Sequence, residues 1–241
     1  MSVLADTTVV ILAGGLGTRL RERVDDRPKV LAVINGRPFL EYLFDQVCTA
    51  GCARIVLCTG YKGDMIRQLF GNSYRGIPLA YSQEAEPLGT GGALRLAEPL
   101  LQSDPVLVSN GDSYLASDLP AFFSFWQQKK AKAALLLTHL AQTQRFGRVR
   151  LDENNRVTGF EEKGGTGEAG WINGGIYLIA REWVQRIPAR GQVSLERDVF
   201  PGWIGGPFYG HCAQGEFIDI GTPESYDAAA TFFRELSSRS V

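Results

Sequence analysis

Seven residues, Thr7-Thr8-Val9-Val10-Ile11-Leu12-Ala13, run without a charge and stop at Gly14-Gly15. A continuous β-branched run of this kind suits a strand buried on both faces, as in the interior of a parallel sheet. The glycines then fall where such sheets meet ligands, beyond the carboxyl end of a strand. Behind this start strands and helices alternate. Strands are expected near 30–34 and at 54–59, 77–82, 105–109 and 133–139; helices at 38–50, 63–70, about 90–101 and 118–129. Asn35-Gly36 reads as a turn, Pro38 suits the first turn of a helix, and Gly51 suits its end. Alternation of this kind predicts an α/β fold with helices on both faces of a mostly parallel sheet.

After about residue 145 the rhythm changes. Strand candidates at 147–151, 156–161 and 172–179 follow closely, with turn residues Asp152 to Asn155 between the first two, so hairpins and an antiparallel component are expected. A short strand at 216–218 leads through Gly221-Thr222-Pro223 into a closing helix at about 223–236. The run GGTGEAG at 164–170 reads as a loop between strands of one sheet, not as a linker. No internal repeat or low-complexity tract occurs.

Composition closes off several functions. With 44% hydrophobic and 21% charged residues the chain can bury a core, and 25 basic against 26 acidic residues leave a charge of −1. Nucleic acid and anionic membrane surfaces, which demand a basic excess, are not expected partners. The first ten residues carry Asp6 and no basic cluster, and no apolar run reaches the ~20 residues that span a bilayer, so a cytoplasmic location is expected. Cys48, Cys52, Cys58 and Cys212 lack metal-site spacing, and reduced, buried thiols are expected. His139 ends an apolar strand and His211 follows another; both read as structural.

The loop Gly14-Gly15-Leu16-Gly17-Thr18-Arg19-Leu20 fits neither of two familiar phosphate-binding patterns. A dinucleotide fingerprint counted from Gly15 would need glycine at Leu20, and a Walker A loop would need Lys-Ser/Thr after Gly17. What remains is a glycine loop whose N–H groups can face phosphate oxygens, with Arg19 and then Pro28-Lys29. These residues resemble the GGxGTRL, spacer and PK signature of the sugar-1-phosphate nucleotidyltransferases. Their reaction joins a nucleoside triphosphate to a sugar 1-phosphate and releases pyrophosphate.

The resemblance implies a three-layer αβα Rossmann-like fold with a mixed, mostly parallel central sheet, formed as one domain over 1–241. A nucleotide-binding part would cover about 7–115 and a sugar-binding part about 116–222. Leu12, Ala13, Gly14, Gly15, Gly17 and Thr18 would lie along the nucleotide, with Arg19 on the triphosphate and Lys29 near the α-phosphate as the catalytic cations. Asp112 in Asn110-Gly111-Asp112 and Asp219 in Phe217-Ile218-Asp219-Ile220-Gly221 match the family's metal pair, implying Mg²⁺. Either aspartate taken alone reads as a turn or helix cap.

Gln83-Glu84-Ala85-Glu86-Pro87-Leu88-Gly89-Thr90-Gly91-Gly92 resembles the family's base-contacting segment in its guanylyl-transferring form, so GTP is the expected triphosphate. There Pro87, Leu88, Gly89 and Thr90 would lie against the base, and Glu84 could accept the two donors of a guanine edge. On the sugar side, Asn110, Gly111, Gly147, Glu162, Lys163, Asn173 and Gly174 carry over from NGD, EEK and NxGIY motifs. FLEY, EPLGTGGA, INGGIYL and FIDIGTPE are most like short members acting on a heptose 1-phosphate, with mannose 1-phosphate as the alternative sugar.

The match runs from 9 to about 226, with departures at Glu22, Val30 and Gly164, where relatives often have proline, and at Asp25-Asp26. A β-helix of the kind that follows the catalytic part in many longer members is not expected. Family members commonly assemble as dimers or larger, which leaves room for a homo-oligomer. Two other readings compete: a nucleotide-sugar glycosyltransferase, disfavoured because Ser113-Tyr114 follows Asp112 where a DxD pair is wanted, and a non-catalytic sensor, disfavoured because both cations and both aspartates are present.

Overall fold

The computed structural model describes residues 3–15, 17, 20, 23–24, 26–161 and 167–239. Thr18, Arg19, Glu162 and Lys163, all singled out above, lie outside the described residues, as do Glu22, Asp25 and Gly164. The elements in chain order are β1 (Thr8–Leu12), β2 (Val33–Ile34), β3 (Arg37–Pro38), α1 (Phe39–Thr49), β4 (Arg54–Thr59), α2 (Gly63–Phe70), β5 (Ser73–Tyr74), β6 (Ile77–Gln83), α3 (Gly89–Leu96), β7 (Val106–Asn110) and β8 (Ser113–Leu115). There follow α4 (Leu119–Gln128), β9 (Ala133–Leu140), β10 (Arg148–Leu151), β11 (Val157–Glu161), β12 (Gly170–Ile179), α5 (Arg181–Gln185), β13 (Phe208–Ala213), β14 (Phe217–Asp219) and α6 (Pro223–Arg239).

Strand β1 shows why the apolar run had to be interior. Val9 and Ile11 enter one core and Val10 the other, each fully buried. On the first side lie α1, α4 and α6, through Phe39, Leu40, Leu43, Phe44, Phe122, Ala229 and Phe233. On the second lie α3 and α5, with Leu94, Trp183, Val184, Leu195 and Phe200. Helix α1 spans only 11 residues and would not persist alone. Its buried Phe39, Leu40, Leu43, Phe44 and Val47 form one stripe, each side chain contributing about 1.5–3 kcal/mol by leaving water.

The sheet is mixed around a parallel centre, in the order β7-β1-β4-β6. Strand β12 runs antiparallel to β7 and carries the hairpin β10-β11 and strand β9 with it, while β13 extends β9 in parallel. The expected antiparallel component after residue 145 is therefore present, and the strands on either side of 164–170 belong to one sheet. No helix among the described residues is long and apolar enough to cross a membrane.

Three local expectations need correction. The strand expected near 30–34 is only Val33–Ile34, paired across Asn35-Gly36 with Arg37–Pro38. Lys29–Leu31 before it form a 3₁₀ turn that buries Val30 and Leu31. The helix expected to reach 101 ends at Leu96, because Pro99 lacks an amide donor, and a 3₁₀ turn at Glu98–Leu100 replaces its last turn. His211 does not follow a strand but lies inside β13, packed against Phe122 and Phe125.

Candidate active site

Four neighbouring parallel strands end side by side: β7 at Asn110, β1 at Leu12, β4 at Thr59 and β6 at Gln83. Ala13 N–H donates to the Cys58 carbonyl at 2.8 Å and Gly111 N–H to the Leu12 carbonyl at 3.0 Å, stitching three of these ends together. Leu12, Ala13, Gly14 and Gly15 thus lie between Asn110-Gly111-Asp112 on one side and Gly60 and Glu84 on the other. The glycines differ in what they permit. A Cβ on Gly111 would stand 2.5 Å from the Leu12 carbonyl oxygen and one on Gly14 2.7 Å from Glu84 Oε1, whereas one on Gly15 would meet nothing within 4 Å. Gly17 has φ +59° and lies against the Lys29 stem.

Strand β8 begins directly after Asp112 and pairs antiparallel with β14, placing Asp219 opposite Ser113. Ile220 N–H donates to the Asp112 carbonyl at 2.9 Å, so the two aspartates, 107 residues apart in sequence (219 − 112), share one strand pair. Each meets a cation. Lys29 Nζ donates to Asp112 Oδ2 at 2.9 Å, and Arg145 Nη2 donates to both Asp219 oxygens at 3.1 Å. Lys29 is 13% exposed and Asp112 50%, so the ammonium is sheltered while its partner carboxylate keeps an open flank. Asp219 also accepts from Gly221 N–H at 2.8 Å. Sequence reasoning overlooked Arg145 as a partner of Asp219; its only signal is the Arg-Phe-Gly-Arg run, whose Phe146 packs edge-on against Phe217 beside Asp219.

A carboxylate pair with no soft donors suits a hard, oxygen-seeking divalent cation. Among the described residues no group of three or more His, Cys, Asp or Glu side chains could hold a metal on its own. Any cation held by Asp112 and Asp219 would therefore complete its shell with other oxygens, as Mg²⁺ does with phosphates and water.

The base-side loop is tighter than its glycine content suggests. Glu84 Oε2 accepts from Leu88 N–H at 3.0 Å, and burial pushes its carboxyl pKa upward. Gly91 and Gly92 N–H groups both point at the Val193 carbonyl, at 2.8 and 3.3 Å, and Val193 N–H returns to the Leu88 carbonyl at 2.8 Å. The N–H groups of Gly91 and Gly92 are thus taken up within the protein. A Cβ on Gly91 would stand 3.0 Å from Val193 Cγ1, and one on Gly92 2.8 Å from Leu88 Cβ. Gly89 has φ +74°, and a Cβ there would stand 2.5 Å from the Val193 oxygen. Pro87, Leu88 and Thr90 stay at the rim, and Thr90 Oγ1 accepts from Leu195 N–H at 2.8 Å.

On the other side of β7, β12 passes Asn173-Gly174-Gly175 beside Asn110. The pairing of β12 with β9 shifts between Asn173 and Ile176, so Gly174 and Gly175 form a bulge. Gly175 has φ +78°, and a Cβ on Gly174 would meet Leu115 at 2.5 Å. The bulge turns the Asn173 side chain back: its Oδ1 accepts from Gly175 N–H at 2.9 Å and its Nδ2 donates to Tyr177 Oη at 2.9 Å. Asn110 Nδ2 donates to the same hydroxyl at 3.2 Å, and among the described residues its buried Oδ1 has no partner. Gly147 directly precedes β10, and a Cβ there would stand 2.7 Å from the Glu161 carbonyl oxygen.

Residues 8–235 match the model of the nucleotidyl transferase family. The chain belongs to that family. Among relatives of this nucleotidyl transferase, D-glycero-alpha-D-manno-heptose 1-phosphate guanylyltransferase of Aneurinibacillus thermoaerophilus is 39% identical over 91% of this chain and 95% of its own length. Mannose-1-phosphate guanylyltransferase of Mycobacterium tuberculosis is 35% identical over 90% of this chain, which spans 62% of that longer protein. The crystal structure of HddC from Yersinia pseudotuberculosis complexed with GMP-PN aligns at TM-score 0.84 and 33% identity, covering 94% of this chain and 99% of that one. The expected fold class, a mixed and mostly parallel αβα sheet of the nucleotidyltransferase kind, is the one found.

Proposed function

We propose that this nucleotidyl transferase moves a guanylyl group from GTP to D-glycero-α-D-manno-heptose 1-phosphate, forming a nucleotide sugar and pyrophosphate. The observation that carries the reading is the geometry at the strand ends. Gly14 and Gly15, the second with open space beside it, lie between a base-side loop after β6 and a sheltered ammonium with two carboxylates near the ends of β7 and β14. The 39% identical heptose 1-phosphate guanylyltransferase and the HddC complex with GMP-PN supply the base and sugar.

In this reaction a phosphate oxygen of the sugar 1-phosphate attacks the α-phosphorus in line, the bond to the β-phosphate breaks, and pyrophosphate departs with the negative charge. Lys29, held by Asp112 beside the end of β1, places a fixed positive charge where that charge develops, which costs no reorganisation at the moment of reaction. Gly15 lets backbone N–H groups approach the phosphates. Arg19, by its place in the motif, adds a forked donor to the triphosphate. Asp112 and Asp219 would hold Mg²⁺, which when bound offsets the charge on the phosphate oxygens. Glu162 and Lys163 by motif, with Asn110, Gly111, Gly147, Asn173 and Gly174, would line the sugar phosphate. Catalysis and binding would take place within one domain, with a nucleotide part over about 7–115 and a sugar part over about 116–222.

The test crosses GTP, ATP, UTP and CTP with heptose and hexose 1-phosphates and measures pyrophosphate. Release only when both substrates are present, with GTP preferred, is expected; equal efficiency with UTP or CTP would remove the guanine assignment. Mannose 1-phosphate is the second reading, favoured by the 35% identical mannose-1-phosphate guanylyltransferase, and the same panel separates the two.

A further inference from the structure

One carboxylate outside every motif used so far stands between the two halves of the site. Glu196 lies in a π-helical turn, Leu195–Val199, begun by Ser194, whose side chain accepts from Arg197 N–H. Glu196 Oε1 accepts from Tyr177 Oη at 3.1 Å, and Oε2 accepts from Thr90 Oγ1 at 3.3 Å and from Ser194 Oγ at 3.1 Å. Three hydroxyls thus converge on an acceptor-only group, a set that an amide could satisfy only by reversing donors.

The proton positions follow from counting. Asn173 Oδ1 is committed to Gly175 N–H, so its Nδ2 must face the Tyr177 oxygen. Asn110 Nδ2 takes the second lone pair of that oxygen. Its single hydrogen is left for Glu196. The Tyr177 hydroxyl is saturated, and its fully buried ring is held edge-on by Phe200 at 5.2 Å. Three hydrogen bonds therefore join Thr90 on the base-side loop to Asn173 on the sugar-side bulge. In parallel, the backbone of Val193 clamps Leu88, Gly91 and Gly92.

We propose that Glu196 and Tyr177 are positioning residues that hold the base-side loop and the sugar-side asparagine in one register, so that nucleotide binding sets the geometry of the sugar pocket. The inference rests on the assignment of Thr90 to the nucleotide and Asn173 to the sugar made above. Neither Glu196 nor Tyr177 touches substrate in this account; each acts through the residue it holds. A hydrogen-bonded chain with every donor assigned has one low-energy arrangement, and this lets order at one end propagate to the other.

The test uses the whole chain with Tyr177→Phe, Glu196→Gln and the double variant. With GTP, heptose 1-phosphate and Mg²⁺, each single variant should raise KM for both substrates by about three- to tenfold, with a smaller fall in kcat. The double variant should be no worse than the poorer single one, since both cut the same connection. Hydrogen exchange supplies a readout that needs no turnover. GTP alone should slow amide exchange at 86–92 and at 173–177 in the wild type, and only at 86–92 in Glu196→Gln. Additive losses, a KM effect on one substrate only, or unchanged protection of 173–177 in the variants overturns the proposal, as does a wild type in which GTP leaves 173–177 untouched. Loss of coupling in the variants with a wild type that uses a different sugar would instead overturn the heptose reading alone.

Discussion

Lys29 Nζ lies 2.9 Å from Asp112 Oδ2, joining the turn after the glycine loop to the end of β7 across 83 residues. The ammonium is sheltered and the carboxylate half open, so under the proposed function the pair would serve a charge arriving from outside more than it stabilises the fold. Asp112→Asn keeps the shape but removes the charge. Turnover should fall by about 100- to 1,000-fold, while the melting temperature stays within about 4 °C of wild type. Wild-type activity at ordinary Mg²⁺ would contradict the assignment.

Two glycines separate packing from binding. Gly89→Ala forces a side chain into a positive φ and against the Val193 carbonyl, and should cost about 1–3 kcal/mol with a raised KM for GTP. Gly15→Ala meets no neighbour within 4 Å; its stability should stay within about 0.5 kcal/mol of wild type while kcat/KM falls by about tenfold or more. Thermal unfolding beside pyrophosphate release measures both, and a Gly15→Ala enzyme of full activity would show that no phosphate approaches that atom.

Phe200 anchors the turn that carries Glu196. It is fully buried, with ring centroids 5.2 Å from Tyr177, 5.4 Å from Trp203 and 5.7 Å from Phe208. Phe200→Ala should cost about 3–5 kcal/mol, lowering the melting temperature by about 6–20 °C. A shift of less than about 3 °C would mean that the aromatic cluster collapses around the gap.

His211 should make stability depend on pH. Burial beside Phe122 and Phe125 holds its imidazole below the ordinary value of 6.5, with Asp118 pulling the other way. The unfolded chain then binds a proton that the folded chain resists, so stability present above about 6.5 is lost as pH falls toward the folded value. Urea unfolding between pH 8 and 5 should show a steeper decline for wild type than for His211→Phe. Parallel declines would place the effect elsewhere.

The glycine loop, both aspartates and the base-side segment stood out in the sequence as candidates because each is a short contiguous motif beside a strand of plain periodicity, and their described residues lie at neighbouring strand ends. Helix α2 and strand β4 fall on their expected bounds, 63–70 and 54–59, for the same reason: local pattern and tertiary burial agree. Where they disagreed, expectation failed. Val30 and Leu31 look like strand residues and are buried, but in a 3₁₀ turn begun by Pro28.

What the linear order determined was the inventory: an interior strand ending in glycines, two cations, two carboxylates, and a change from parallel to antiparallel rhythm near residue 145. The tertiary structure alone decided which groups meet. The pairing of β8 with β14 brings Asp112 and Asp219 together, the Arg145 guanidinium reaches the second carboxylate, and the Val193 carbonyl takes up the Gly91 and Gly92 N–H groups. Glu196 belongs to this second category, since its three hydroxyl partners come from residues 90, 177 and 194 and only packing brings the first two to the third. Hydrogen bonds act over about 3 Å, and a sequence records nothing at that distance between residues a hundred positions apart.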